Sequence, residues 1–197
     1  MVSAVPLLEI NGLKTYFYTL RGIVKAVDNV SLKLEKGETL GIVGESGCGK
    51  STLAWSIIGL VPPPGKIVDG SIIIDGIDIT KMPESEVREK IRWKKVSMIF
   101  QGAMNALNPV YKIREQVAEP MILAGYSEQE AYKRVDELLE AVGLTPAVGD
   151  RYPHELSGGM KQRVVIAMAL TLEPDLVIAD EPTTALDVVV QAQILNL

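Results

Sequence analysis

The chain has 197 residues and a formal net charge of −5, with 47% hydrophobic and 23% charged residues. This composition is typical of a globular α/β protein, and the length suffices for one core with a smaller lobe. The acidic balance argues against a nucleic-acid partner, since a duplex-binding face usually needs surplus basic charge. The single cysteine excludes an intrachain disulfide. No apolar run is long enough to span a membrane and no secretory leader is evident, which predicts a cytoplasmic location.

Strand patterns dominate the first part of the chain and helix patterns the middle. The hydrophobic periodicity predicts strands at residues 7–10, 14–18, 24–34, 39–43, 70–76, 96–100 and 176–179, and helices at 49–60 and within 105–149. Ser127 and Glu130 have the spacing of a capping box. The residues on one face of the helix behind it are apolar, namely Ala131, Val135, Leu138, Leu139 and Val142, and Gly143 is a plausible stop. We therefore expect an α/β core with a helical lobe inserted at about 105–155.

A glycine-rich loop follows the predicted strand at 39–43. It reads Gly44, Glu45, Ser46, Gly47, Cys48, Gly49, Lys50, Ser51 and Thr52, which fits the phosphate-binding pattern G-x-x-x-x-G-K-[ST]. Glycines let backbone N–H groups approach a phosphate, and the helix that follows directs its positive end at the same anion. We predict that all nine residues bind ATP, that Lys50 also serves catalysis, and that the Ser51 hydroxyl ligates Mg²⁺.

A second motif begins a helix near residue 157. Tyr152 to Arg163 resembles the signature sequence of the ATP-binding cassette (ABC) family, L-S-G-G-Q followed by a basic helix, although Met160 stands where Gln is usual. Ser157, Gly158 and Gly159 can offer a hydroxyl and bare N–H groups to a phosphate. By the resemblance, that phosphate belongs to the ATP held by the opposite subunit of a dimer.

A third motif is an apolar strand that ends in two carboxylates, Asp180 and Glu181. This arrangement predicts that Asp180 holds Mg²⁺ through water and that Glu181 is the catalytic group that polarises the attacking water. The resemblance to the ABC family adds Gln101, which would sense Mg²⁺ and the γ-phosphate as a metal and ATP ligand. It also adds Asp187, in a loop that crosses between subunits.

These motifs follow the order of the ABC-transporter ATPases over nearly the whole chain. Residues 100–109, 152–155 and 184–195 further resemble the dipeptide/oligopeptide and nickel importer branch, with Val189 in place of its usual Thr. The resemblance implies a P-loop NTPase core of mixed or parallel sheet with an antiparallel β-subdomain on the N-terminal side. It also implies an ATP- and Mg²⁺-dependent ATPase that pairs with a like subunit and lies at the cytoplasmic face of the membrane. Transmembrane permease subunits would dock at residues 101–109 and the helices that follow.

Several alternatives remain open. The sequence does not choose among a di- or oligopeptide, nickel and an oligosaccharide as the cargo, because the ATPase does not touch the cargo. A soluble ABC ATPase acting on DNA is disfavoured because no sustained heptads separate Lys50 from Ser157, and a kinase has no use for a signature motif. The aromatic side chain that stacks on adenine is Phe17, with Tyr16 as the alternative.

The C-terminal residues also bear on the activity that we expect. The family's switch histidine would follow Glu181 by about 30 residues, beyond Leu197, and the only histidine, His154, precedes the signature and is interpreted as structural. Residues 191–197 have the pattern of a helix without a stop. We therefore expect a C-terminally truncated domain that binds ATP and hydrolyses it weakly.

Overall fold

The computed structural model describes residues 5–102, 106–183 and 186–195. It divides into two compact units, residues 1–96 and residues 97–197. Ala103 to Asn105 of the importer-like stretch and Thr184 and Ala185 of the loop before Asp187 lie outside the described residues, as do Asn196 and Leu197.

The first unit is built on an antiparallel sheet. Its strands are β1 (Leu8–Thr19), β2 (Gly22–Leu34), β3 (Gly65–Ile74) and β4 (Ile77–Asp78), in the order β2-β1-β3-β4. The strands predicted at 7–10 and 14–18 are one strand, because β1 shifts register between Ile10 and Leu13 instead of ending. Both of these side chains are fully buried although they are three residues apart. Because side chains alternate between the two faces of a strand, residues three apart can share a face only if a bulge lies between them.

Helix α1 (Lys50–Ile57) packs against this sheet and begins directly after the glycine-rich loop. The side chains that it buries include Leu53, Ala54 and Ile57. Inside the contact, the hydroxyls of Thr15 on β1 and Ser56 on α1 are 2.8 Å apart and both residues are fully buried. The Ser56 hydroxyl also donates to the carbonyl of Thr52 at 2.7 Å, which leaves its oxygen to accept from Thr15, and this buried hydrogen bond ties the helix to the strand.

Arg92 holds the other end of α1. Its Nε donates to the carbonyl of Ile58 and its Nη2 to the carbonyl of Gly59, both at 2.8 Å, while Glu84 accepts from Nη1 at 2.6 Å. These two carbonyls belong to the C-cap residue of the helix and to the residue that follows it, where no intrahelical N–H is available to them. Glu84 belongs to the short helix α2 (Glu84–Glu86), which continues into a π-helical turn at Val87–Ile91.

The strand predicted at residues 39–43 is wrong for this structure. These residues have no regular secondary structure, and Leu40, Ile42 and Val43 are 47%, 48% and 97% exposed. An apolar run becomes a strand only where a neighbouring strand supplies hydrogen bonds. Among the residues that the structure describes, no strand pairs with this segment.

Within its described residues, the second unit combines a two-stranded sheet with four helices. The strands are β5 (Val96–Ile99) and β6 (Leu176–Ala179), and the helices are α3 (Ile113–Leu123), α4 (Glu128–Ala141), α5 (Gly158–Ala169) and α6 (Val188–Leu195). Short 3₁₀ turns lie at Pro146–Asp150 and Pro153–Glu155. None of the helices within the described ranges is long and apolar enough to cross a membrane.

Helix α4 confirms the capping-box prediction. The Ser127 side chain accepts from the backbone N–H of Glu130, whose carboxylate accepts from the backbone N–H of Ser127. The predicted apolar face is buried at Ala131, Val135, Leu138, Leu139 and Val142. It joins the apolar faces of α3 and α5 in one hydrophobic cluster, so the core of the second unit lies between these three helices.

Arg92→Lys should destabilise the protein by about 1–3 kcal/mol, because an ammonium cannot serve two carbonyls and a carboxylate in the fixed geometry of a guanidinium. The free energy of unfolding, measured by urea denaturation, tests this expectation. Arg88→Lys is the matched control, since Arg88 is exposed, and should change stability by less than about 0.5 kcal/mol. Equal stability of the two variants would show that Arg92 does not anchor α1.

Candidate functional site

The glycine-rich loop is shaped by contacts that only glycine permits. Gly49 adopts a φ of 101°, and a Cβ atom placed there would overlap the carbonyl oxygen of Ala26 on β2. Gly47 has a φ of 79°. A Cβ at Gly44 would lie 2.8 Å from the Sγ atom of Cys48. The loop therefore needs glycine for close packing as well as for access of a ligand to the backbone.

Lys50 turns its charge into this loop. Its Nζ donates to the carbonyl oxygens of Gly44 at 2.7 Å and Glu45 at 2.8 Å, and lies 3.6 Å from the Sγ atom of Cys48. The loop thus curves around the ammonium group. The N-cap residue of α1 is Gly49, which has no side chain to cap the helix, and the described first turn carries no acidic residue. A helix start of this kind presents N–H groups and a partial positive charge to an anion.

The remaining residues of the motif surround this helix start. Glu45, Ser46, Gly47 and Cys48 are exposed, Ser51 is half-buried and Thr52 is buried. The arrangement can bind a polyphosphate through backbone N–H groups, with one cation provided by Lys50.

In the second unit, Gln101 and Glu181 are brought together. The Nε2 atom of Gln101 donates to Oε2 of Glu181 at 2.8 Å, and the backbone N–H of Asp180 donates to the carbonyl of Ile99 at 2.9 Å. The sequence predicted a function for each residue separately and gave no sign of this contact. It results from β5 and β6 being neighbours in one sheet.

The backbone at Glu181 is strained. Its φ of 49° lies in the left-handed region, which costs a residue with a side chain on the order of 1–2 kcal/mol. Such a conformation persists only where its surroundings fix it, and such residues cluster at functional sites. The conformation alone does not mark a functional residue, since the exposed Glu173 shares it with a φ of 51°, and the amide contact from Gln101 is what distinguishes Glu181.

Two glutamines that sequence reasoning missed hold the turn after Glu181. Gln162 of α5 donates to the carbonyl of Pro182 at 2.9 Å, and Gln191 of α6 donates to the carbonyls of Thr183 and Leu186 at 3.0 Å. The helical spacing of Gln162 to Val165 and Ile166 assigns it to the apolar face of α5. A polar residue at such a position was the one signal that the sequence offered for Gln162. Gln191 carries no comparable signal.

The signature helix begins as predicted. Ser157 is the N-cap of α5, and its hydroxyl accepts from the backbone N–H of Met160 at 3.3 Å. Ser157 and Gly158 are exposed and Gly159 is half-buried. Arg163 ties the helix to the end of α4 by donating to the carbonyl of Gly143 at 2.8 Å.

The side chain of Asp187 accepts from the backbone N–H of Val190 at 3.0 Å and so caps α6. The exposed His154 ring stacks on Tyr152, with centroids 5.7 Å apart, which fits the structural role expected for it. No cluster of three or more His, Cys, Asp or Glu side chains suited to a metal ion occurs in the described part of the chain.

The aromatic residues proposed for adenine occupy different environments. Phe17 is half-buried, pairs across the sheet with Val24 and Gly65, and leaves no room for a side chain at Gly65. Tyr16 donates its hydroxyl to Asp28 at 2.5 Å. This hydrogen bond raises the pKa of Tyr16 and lowers that of Asp28. Tyr16 is therefore engaged within the sheet, and stacking of Phe17 on adenine stays a prediction.

The comparisons with known proteins agree with this architecture. The family model described as "ABC transporter" matches residues 27–184. The ATP-binding cassette MJ0796, solved as a dimer in a post-hydrolysis state bound to ADP and Pi, is 33% identical with a TM-score of 0.87, over 96% of this chain and 80% of that chain. The predicted P-loop cassette fold, with its antiparallel N-terminal sheet and helical region, is thus confirmed.

Curated relatives carry peptide-transport names. The oligopeptide transport ATP-binding protein AppD of Bacillus subtilis is 52% identical over 97% of this chain and 59% of its own length. The dipeptide transport ATP-binding protein DppD of the same organism is 50% identical over 96% of this chain and 58% of its length. OppD of Salmonella typhimurium is 49% identical, over 97% and 57%. The chain thus spans less than two thirds of these relatives. With a family match over most of its residues, the chain belongs to the ABC transporter family.

Proposed function

We propose that this chain binds and hydrolyses ATP to power an ABC importer of di- or oligopeptides. The observation that carries the proposal is the loop around Lys50, whose ammonium lies against two loop carbonyls at the uncapped start of α1. The printed names of the relatives described above support the peptide cargo.

ATP would bind with its phosphates on residues 44–52 and its adenine against Phe17. The exposed loop offers backbone N–H groups, and Lys50 would exchange its carbonyl partners for β- and γ-phosphate oxygens. That exchange replaces two neutral acceptors by charged ones, so it favours a phosphate chain over the empty loop.

Each residue that the sequence predicts as a Mg²⁺ ligand carries an oxygen atom that suits this ion. The hydroxyl of Ser51, the carboxylate of Asp180 and the amide oxygen of Gln101 are hard oxygen ligands of the kind that this ion prefers. The ion would supply charge neutralisation at the phosphate oxygens. The amide of Gln101 already directs its nitrogen to Glu181, which leaves its oxygen available as an acceptor.

Hydrolysis would depend on Glu181. Its carboxylate would accept the hydrogen bond of the attacking water and polarise it towards the γ-phosphate. The hydrogen bond from Gln101 orients the carboxylate, and the left-handed backbone sets where it points. A carboxylate fixed from both ends is suited to position one water molecule.

The chain would act in a dimer with a like ATPase subunit. Ser157, Gly158 and Gly159 would bind the ATP of the opposite subunit, and Asp187 would lie at the crossing between subunits. The dimeric state of the related cassette supports this arrangement. We also propose that residues 1–197 form one nucleotide-binding domain, with about 105–155 as its helical lobe.

Permease subunits in the membrane would dock on residues 101–109 and the helices that follow. The chain would then be held peripherally at the cytoplasmic face of the membrane. The exposed side chains of Val110, Tyr111 and Leu123 support a protein contact on this surface. The net charge of −5 gives no support to a nucleic-acid partner.

Lys50→Ala should weaken the binding of Mg-ATP by about a hundredfold, because it removes the side-chain cation of the phosphate loop. Calorimetry with the purified protein measures the affinity, and uptake of a labelled dipeptide by cells measures transport, which should be lost. Lys94→Ala removes an exposed lysine of the same unit and serves as the control. Unchanged ATP affinity in Lys50→Ala would refute the phosphate-loop assignment.

Glu181→Gln should leave ATP binding intact and lower turnover about a hundredfold or more, because only the group that polarises water is lost. The new side chain keeps an oxygen that can accept from Gln101, so the local structure should survive. Glu173→Gln is the matched control, since Glu173 is exposed and pairs with Arg134 at 2.7 Å away from the turn. Turnover of Glu181→Gln equal to that of this control would move the catalytic role elsewhere.

A further inference from the structure

The carbonyl of Pro182 is bound by a buried side chain. Gln162 is 2% exposed, and its Nε2 donates to this carbonyl at 2.9 Å. A primary amide is costly to bury unless it is hydrogen-bonded. The placement of Gln162 inside the apolar body of α5 therefore indicates that this bond matters to the molecule. A leucine or methionine would otherwise fill the same volume at lower cost.

The bound carbonyl is adjacent to the strained residue. Pro182 directly follows Glu181, whose φ is 49°. The pyrrolidine ring fixes the φ of Pro182, so pinning its carbonyl also fixes its ψ. The chain after Glu181 thus has little rotational freedom, which resists relaxation of the left-handed conformation of Glu181.

Both the side chain of Glu181 and the backbone that follows it are therefore held in place. Gln101 binds its carboxylate at 2.8 Å, and Gln162 fixes the backbone that follows it. Gln191 fixes the far side of the same turn through Thr183 and Leu186. All four hydrogen bonds are donated by neutral amides, which orient a carboxylate or carbonyl without adding charge through these contacts.

The hydrogen bond from Gln162 to Pro182 also links two elements that we propose to act on ATP. Gln162 lies on α5, which starts at Ser157, so the helix that would meet the opposite subunit's ATP bears directly on the turn that carries Glu181. We propose, resting on the proposed function above, that Gln162 is a positioning residue for hydrolysis. It holds the carboxylate of Glu181 in place and couples it to the position of the signature helix.

Gln162→Met tests this inference, because it keeps the length and volume of the side chain and removes the donor. We expect kcat for ATP hydrolysis to fall by about tenfold or more, since small misplacement of a catalytic group has effects of this size. The KM for ATP and the calorimetric ATP affinity should stay within about twofold. Gln162→Asn keeps the amide but is one methylene too short for Pro182, and should show the same pattern.

The matched control is Thr171→Val. Thr171 is also 2% exposed, lies just beyond the C-terminal end of the same helix and donates to the carbonyl of Met168 at 2.7 Å, away from the turn. The Thr171→Val variant loses a buried donor in the same way, so its kcat reports the general effect of such a loss near the helix. Its kcat should stay within about twofold of the parent protein.

The outcomes separate this inference from the function on which it rests. A parent protein that neither binds nor hydrolyses ATP refutes the proposed function. A parent protein that hydrolyses ATP and depends on Glu181, together with Gln162 variants that match Thr171→Val in kcat, overturns the positioning role. A parallel loss of kcat and ATP affinity in the Gln162 variants also overturns it, because it would show a general structural effect.

Discussion

The contact between the Lys50 ammonium group and the carbonyls of its loop is the interaction on which the arrangement of the first unit depends. An ammonium group is held by the carbonyls of Gly44 and Glu45, and the loop that supplies them ends at Gly49, which is pressed against β2. Moving either the sheet or α1 would therefore deform the loop. The buried hydroxyl pair between β1 and α1 and the guanidinium of Arg92 at the far end of α1 resist such movement. These contacts hold in place the loop that we propose as the phosphate site.

The second unit follows a different design. Its candidate catalytic carboxylate, Glu181, lies on a strained backbone and accepts a hydrogen bond from the neutral amide of Gln101. A guanidinium or ammonium in this position would compete with Mg²⁺ for the phosphate and the carboxylate. Amides give orientation without that competition. The helix cluster behind the turn supplies the buried positions that make such amides effective.

Local features of this chain were predictable from its sequence, and features that depend on distant partners were not. The glycine-rich loop, the capping box of α4 and the N-cap of α5 each depend on residues within a few positions, so their patterns are visible. The strand expected at 39–43 failed because strand formation requires a paired neighbour that no local pattern reveals. The contacts Gly49 to Ala26 and Gln162 to Pro182 likewise join residues about 20 positions apart. They emerge only when the elements pack.

The most direct measurement of the central claim uses Cys48, the single cysteine of the chain, which is exposed and lies 3.6 Å from the Nζ atom of Lys50. Its rate of alkylation reports on the phosphate loop alone. If the phosphates bind there, Mg-ATP and Mg-ADP should slow the labelling strongly, while adenosine, which has no phosphate, should leave the rate unchanged. Equal labelling rates with saturating Mg-ATP and with no nucleotide would contradict the account.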